Sequence, residues 1–215
     1  MLTDIATISY AATAVAYLIL AILLLTSWRG RLYGMMLTVA CLFSAFWAAI
    51  IVYQLAWGYS APFLTYFLEM LRNVTWSAFL IVLLGPFQTP KNDASLPKIR
   101  VSVFVISALY LVFLIFPLFS PDEIGDAYNV TNNSLASIAS SVLMAIIGVM
   151  LVEQFYRNTP VDKRWGIKFM CLGVGSIFVY DFYLYSDALL FRHVNEDLWA
   201  ARGGINALVV PLIAV

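Results

Sequence analysis

The stretch IATISYAATAVAYLILAILLLTS, Ile5 to Ser27, decides the class of this protein. It carries no charged residue and is long enough to cross a bilayer, which takes roughly 20 predominantly apolar residues in a helix. Its apolar run is too long and too continuous for the alternating pattern of a membrane β-strand. Working outward from it, the same kind of stretch recurs along the whole chain. Hydrophobic residues make up 63% of the 215 residues and charged residues only 11%. A water-soluble domain could not bury that much apolar surface. The composition therefore predicts an all-α, polytopic membrane protein.

Hydropathy and turn residues divide the chain into seven spans. They run from about Ile5 to Ser27, Leu32 to Trp57, Ala61 to Leu84, Ile99 to Phe119, Ser134 to Tyr156, Trp165 to Phe191, and Leu198 to Val215. A polar loop from Gln88 to Lys98 precedes the fourth span, and Ser120-Pro121-Asp122-Glu123 opens another after it. The basic residues alternate. Arg29 and Arg31, then Lys91, Lys98 and Arg100, then Arg157, Lys163 and Arg164 fall in the odd-numbered loops. The even-numbered loops carry none up to the sixth, which holds Arg192, and the fourth is acidic with Asp122, Glu123 and Asp126. Basic loops stay cytoplasmic, so the N-terminus is expected outside and the C-terminus inside. The first residues lack a basic region, so the first span does not read as a cleaved signal peptide. The chain ends at Val215 inside an apolar run, which leads to the expectation of a cytoplasmic region beyond it.

Most chemistry is absent from the pattern. Cys41 and Cys171 lie alone inside spans and read as small packing residues. His193, the single histidine, falls in an expected outer loop, so no haem ligand lies within the bundle. The seventh span has no lysine for a retinal Schiff base, and Lys168 sits near the inner end of the sixth. No nucleophile, phosphate loop or metal-ligand spacing appears, so no catalytic residue, resident metal or nucleic-acid partner is expected. Asn129-Val130-Thr131 fits a glycosylation sequon, a short pattern that also arises by chance.

Charges inside the spans carry the functional information, because ionisable groups at membrane depth are costly and face the bundle interior. At about 1.5 Å per residue, Glu69 lies about 12 Å and Arg72 about 16 Å below the outer end of the third helix. Asp187 lies about 6 Å and Asp181 about 15 Å from the outer end of the sixth, and Arg202 about 6 Å and Asn206 about 12 Å into the seventh. These residues, with Tyr180 and Tyr183 on the Asp187 face, form the candidate cluster. Glu69 and Arg72 can pair within their helix, at least one of them is expected to pair with Asp181, Asp187 or Arg202, and Trp76 is placed to stack on Arg72. Arg202 and Asp187, nearest the ends, are the two placed to snorkel outward. The cluster reads either as ion pairs that set packing register or as the lining of an outward cavity for a ligand or proton.

Small residues form stripes at Ser137, Ser141, Ala145 and Gly148, and at Cys41, Ala45 and Ala48, which let helices approach closely. Trp28, Trp57, Trp165 and Trp199 sit at span ends as an aromatic belt. Pro117 and Pro211 read as kinks or helix ends.

Several strings resemble a known family. They are Leu24-Leu25-Thr26-Ser27-Trp28-Arg29-Gly30-Arg31, Val152-Glu153-Gln154-Phe155-Tyr156-Arg157-Asn158-Thr159-Pro160, and Lys168-Phe169 with Gly173. Tyr180-Asp181, Asp187-Ala188-Leu189-Leu190-Phe191-Arg192, Trp199-Ala200-Ala201-Arg202-Gly203 and Asn206-Ala207 complete the set. Together they resemble the N-terminal membrane region of PrsK-type histidine kinases, associated with the PEP-CTERM/exosortase system of Gram-negative bacteria. The resemblance covers most of the chain and is densest after Val152. It implies that residues 1–215 form one sensory membrane domain in the bacterial inner membrane, followed by a GAF-like domain and a kinase core. It implies no catalytic residue here. The phospho-accepting histidine, the ATP and Mg site and the contacts of a kinase homodimer would lie beyond Val215. A response regulator controlling exopolysaccharide and PEP-CTERM protein genes is the implied partner. The alternative from another class is a small membrane transporter or substrate-binding membrane component, which a broken helix at the midplane or inverted repeats would favour.

Overall fold

The computed structural model describes residues 2–27, 32–58, 61–84 and 135–214, together with Ala108 and Val112. Six α-helices lie among the described residues: α1 (Leu2–Thr26), α2 (Leu32–Trp57), α3 (Pro62–Leu84), α4 (Leu135–Asn158), α5 (Arg164–Phe191) and α6 (Glu196–Ala214). A single 3-10 turn, Val161–Lys163, joins α4 to α5. The fourth expected span apart from Ala108 and Val112, the loops around it, the sequon, Trp28, Pro117 and the basic residues Arg29, Arg31, Lys91, Lys98 and Arg100 lie outside the described residues.

Local sequence explains where the helices stop. Gly58 ends α2 and Arg192 ends α5 with φ of 65° and 61°, the left-handed conformation that terminates a helix. Asn195 caps α6: its Oδ1 accepts from the Asp197 and Leu198 amides at 3.0 and 3.3 Å, with Glu196 and Asp197 in the first turn. Arg164 closes the other corner, donating from Nε to the Thr159 carbonyl and from Nη2 to that of Arg157. Pro211 is taken up inside α6 and does not mark its end.

Five of these helices, α1 to α5, are long and apolar enough to cross a membrane. α6 is the exception because Glu196, Asp197, Arg202 and Asn206 dilute its first half. The distribution of side chains is inverted relative to a soluble protein. Ile8, Leu172, Val179 and Leu208 point outward, whereas Glu69, Arg72, Asp181 and Arg202 are buried. Arg72 and Arg202 rank among the largest fully buried side chains. An apolar exterior around a charged interior suits hydrocarbon, and the protein is a membrane protein whose described secondary structure is all helical.

Each helix packs on the next in chain order, and α6 packs back on α1, so the six form a closed ring. α1 and α6 run parallel, since Ser9 and Thr13 of α1 donate to the Ala200 and Gly203 carbonyls of α6. A Cβ at Gly203 would come within 2.8 Å of the Tyr10 backbone nitrogen and 2.5 Å of Ser9 Oγ, so only glycine permits this approach. α3 and α4 are also parallel: Tyr66 bonds Ser140 at 2.9 Å and Met70 packs with Met144 in the same order. The small-residue stripes serve these contacts. Cys41 and Ala48 are fully buried, and Gly148 lies so close to the Phe178 ring that no side chain would fit.

Candidate functional site

Ten residues, about 15 Å at 1.5 Å per residue, separate Trp47, Arg72, Asp181 and Asn206 from the ends of α2, α3, α5 and α6 at the face where α6 begins. The helix lengths therefore place these four residues in one layer near mid-depth. Antiparallel packing of α5 on α6 sets Asp181 against Arg202, whose Nε donates to Asp181 Oδ1 at 2.7 Å. The other Asp181 oxygen accepts from Arg72 Nη2. Arg202 also reaches across the ring, donating from Nη2 to Glu69 Oε1 at 2.6 Å. The Tyr185 hydroxyl donates to the same Glu69 oxygen and accepts from Arg202 Nη1 at 3.1 Å.

The result is a four-charge chain, Arg72–Asp181–Arg202–Glu69, that ties α3, α5 and α6 together. Two guanidiniums offset two carboxylates, so the chain carries no net charge. Trp47 supplies its apolar wall. The Arg72 guanidinium lies 4.1 Å from the centre of the Trp47 ring, and that of Arg202 lies 4.8 Å away. Cation–π attraction of this kind strengthens when the cation is desolvated. Tyr10 holds the indole in place, edge-on at 5.4 Å, and donates its hydroxyl to the Trp199 carbonyl at 2.9 Å. A third tryptophan, Trp76, donates from Nε1 to Ser44 Oγ at 3.0 Å and so joins α3 to α2 below the charges.

Glu69, Arg72, Asp181, Arg202 and Asn206 come together as one buried group. Asn206 sits one turn beyond Arg202 and donates its amide to the Arg202 carbonyl at 2.9 Å. Asp187, Tyr180 and Tyr183 do not join them. Tyr183 is two residues from Asp181 and so about 200° around the helix, where it is exposed. Asp187 is half-buried on another face. Tyr180 bonds the Leu198 carbonyl at 2.7 Å, a link between α5 and α6 outside the charge chain.

The expected pairing of Glu69 or Arg72 with Asp181, Asp187 or Arg202 is met twice: Glu69 pairs across the ring with Arg202 and Arg72 with Asp181. Two local features differ from expectation. Trp47, not Trp76, stacks on Arg72, since Trp76 is directed to Ser44. Arg202 does not snorkel; it is 1% exposed, held by two carboxylates. Trp47 and Tyr185 were not in the candidate cluster. Tyr185 had a readable signal, four residues from Asp181 on one helix face. Trp47 had none, because nothing in the α2 sequence shows which neighbour it meets.

Among the described residues, no group of three or more His, Cys, Asp or Glu side chains is placed to hold a metal. Both cysteines are free and buried. No family model, curated protein or solved structure matches the chain.

Proposed function

We propose that this chain is the membrane sensory domain of a bacterial two-component histidine kinase in the inner membrane, with the charge chain as its switch. The observation that carries the reading is the Arg72–Asp181–Arg202–Glu69 chain itself. It couples α6, the last helix, to α3 and α5 through contacts that depend sharply on distance. Buried charges cannot drift apart gradually, because a partly broken pair leaves an uncompensated charge. Two discrete packings of α6 against α3 and α5 follow, and a signal that favours one shifts the population. A differential of about 1.4 kcal/mol changes that population tenfold. The kinase assignment rests on the family resemblance of the strings from Leu24 to Ala207, and places the kinase core, its ATP and its response regulator after Val215.

In this reading the chain crosses seven times, with the N-terminus outside. The parallel course of α3 and α4 supports an additional crossing between them, for which Ile99 to Phe119 is the candidate. Reporter fusions after Pro90 and Asn158 are expected to read cytoplasmic, and one after Asp126 periplasmic. The transporter alternative gains nothing from the helices at the cluster, since α3, α5 and α6 run through its layer as unbroken α-helices.

The decisive experiment is autophosphorylation of the full-length protein in bilayers. Arg72→Lys keeps the charge but loses the planar fork, and Tyr185→Phe removes one link to Glu69. Both are expected to insert normally and to change kinase output. Unchanged output from well-expressed variants would reduce the chain to a packing element. A reading frame ending near Val215 would remove the sensor reading.

A further inference from the structure

Among the described residues, five buried polar atoms have no hydrogen-bond partner: Arg72 Nε and Nη1, Trp47 Nε1, the Tyr17 hydroxyl and Asn206 Oδ1. Their positions are related. Trp47, Arg72 and Asn206 share the cluster layer. Tyr17 packs against Trp76 at 6.3 Å, and Trp76 is one turn beyond Arg72 on the same face of α3. The Asn206 amide nitrogen is bound back to its own helix, which turns Oδ1 away from the α6 backbone. The Arg72 guanidinium lies over the Trp47 face at 4.1 Å, and its Nε–H and Nη1–H donors find no hydrogen-bond acceptor.

Leaving donors of a buried cation unmade is among the costliest arrangements in a folded protein. Buried groups of this kind in native structures find a protein or water partner. What the partner must be follows from the inventory. Donors outnumber acceptors here, so the occupant has to accept, and it must also donate to Asn206 Oδ1. Its charge is constrained too. Arg72 and Arg202 already offset Asp181 and Glu69, so an anion would leave net charge inside the bilayer, and a cation would face Arg72. Water accepts, donates, is neutral and is held by two to four polar partners.

We propose that the bundle centre holds a buried water site in which water accepts from Arg72 and donates to Asn206 Oδ1, with the Tyr17 hydroxyl as a further partner. The site belongs to the membrane bundle alone and does not rest on the sensor reading.

Tyr17→Phe in the whole chain, reconstituted in bilayers, tests it by sign. It deletes only an unpartnered hydroxyl and keeps the ring. With water in the site, a hydrogen bond is lost and the apparent Tm falls by about 2–4 °C. In a dry centre an unmet polar group disappears, and an unchanged or raised Tm overturns the proposal. Water-edited solid-state NMR of the 15N-arginine protein gives a second reading, with the Arg72 signal assigned from Arg72→Lys. Polarisation from water is expected at Arg72 Nε as fast as at surface arginines. Build-up as slow as that of core amides overturns the site. Replacing chloride by gluconate is expected to leave the Tm unchanged, and a chloride-dependent Tm would assign the site to an anion and overturn water.

Discussion

Asp181 and Arg202 meet at 2.7 Å between α5 and α6, and each is also bound to α3, Asp181 through Arg72 and Arg202 through Glu69. Neither pair can be broken without disturbing the other. That reciprocity distinguishes the cluster from isolated ion pairs and shapes how it responds to substitution.

Charge balance should dominate the response. Asp181→Leu leaves Arg72 without a carboxylate at membrane depth, a loss of about 3–5 kcal/mol. Arg72→Leu leaves a carboxylate underpaired at similar cost. The double variant Arg72→Leu/Asp181→Leu restores neutrality, with Arg202 still on Glu69. It is expected to melt above either single variant in bilayers. A double variant as unstable as the sum of the singles would show that the pairs act independently.

Trp47 should be graded by the face it offers two guanidiniums. Wild type is expected to be most stable, then Trp47→Phe, then Trp47→Leu, because Trp is the strongest cation–π partner and Leu offers none. Thermal melting of the three gives the order. If Leu matches Phe, the indole contributes volume only.

Adjacent glycines on α6 provide a sharper contrast. Gly203→Ala drives a methyl into Ser9 and Tyr10 of α1, and overpacking of this kind costs about 1–3 kcal/mol. Gly204 has open space around its would-be Cβ. Gly204→Ala should therefore be neutral or stabilise by about 0.5–1 kcal/mol through helix propensity. Equal effects at the two sites would contradict the α1–α6 contact.

The Glu153–Arg157 pair at the end of α4 should matter little. Its side chains are 62% and 75% exposed at 3.2 Å. Such pairs contribute about 0–1 kcal/mol, so Arg157→Ala should leave the melting temperature within about 2 °C of wild type. A large drop would give this surface pair a structural role.

The local sequence alone determined the helices. Apolar runs of membrane length located α1 to α5 to within a few residues of the observed ends, because hydrophobic length and turn residues act locally. It also determined which charges are buried. Glu69, Arg72 and Asp181 are too far from their helix ends for a side chain to reach the surface, so depth along the helix was enough. Partner choice was different. Whether Arg72 would meet Glu69 or Asp181, Trp76 or Trp47, depends on how each helix is rotated about its axis and which helix lies beside it. Tyr183 and Asp187 left the cluster for the same reason: they are at suitable depth on faces of α5 turned elsewhere. Helix rotation and neighbour order are set by side chains distant in sequence, such as Gly203 against Ser9 and Gly148 against Phe178. Only the tertiary structure, which brings those contacts together, decided the wiring of the charges.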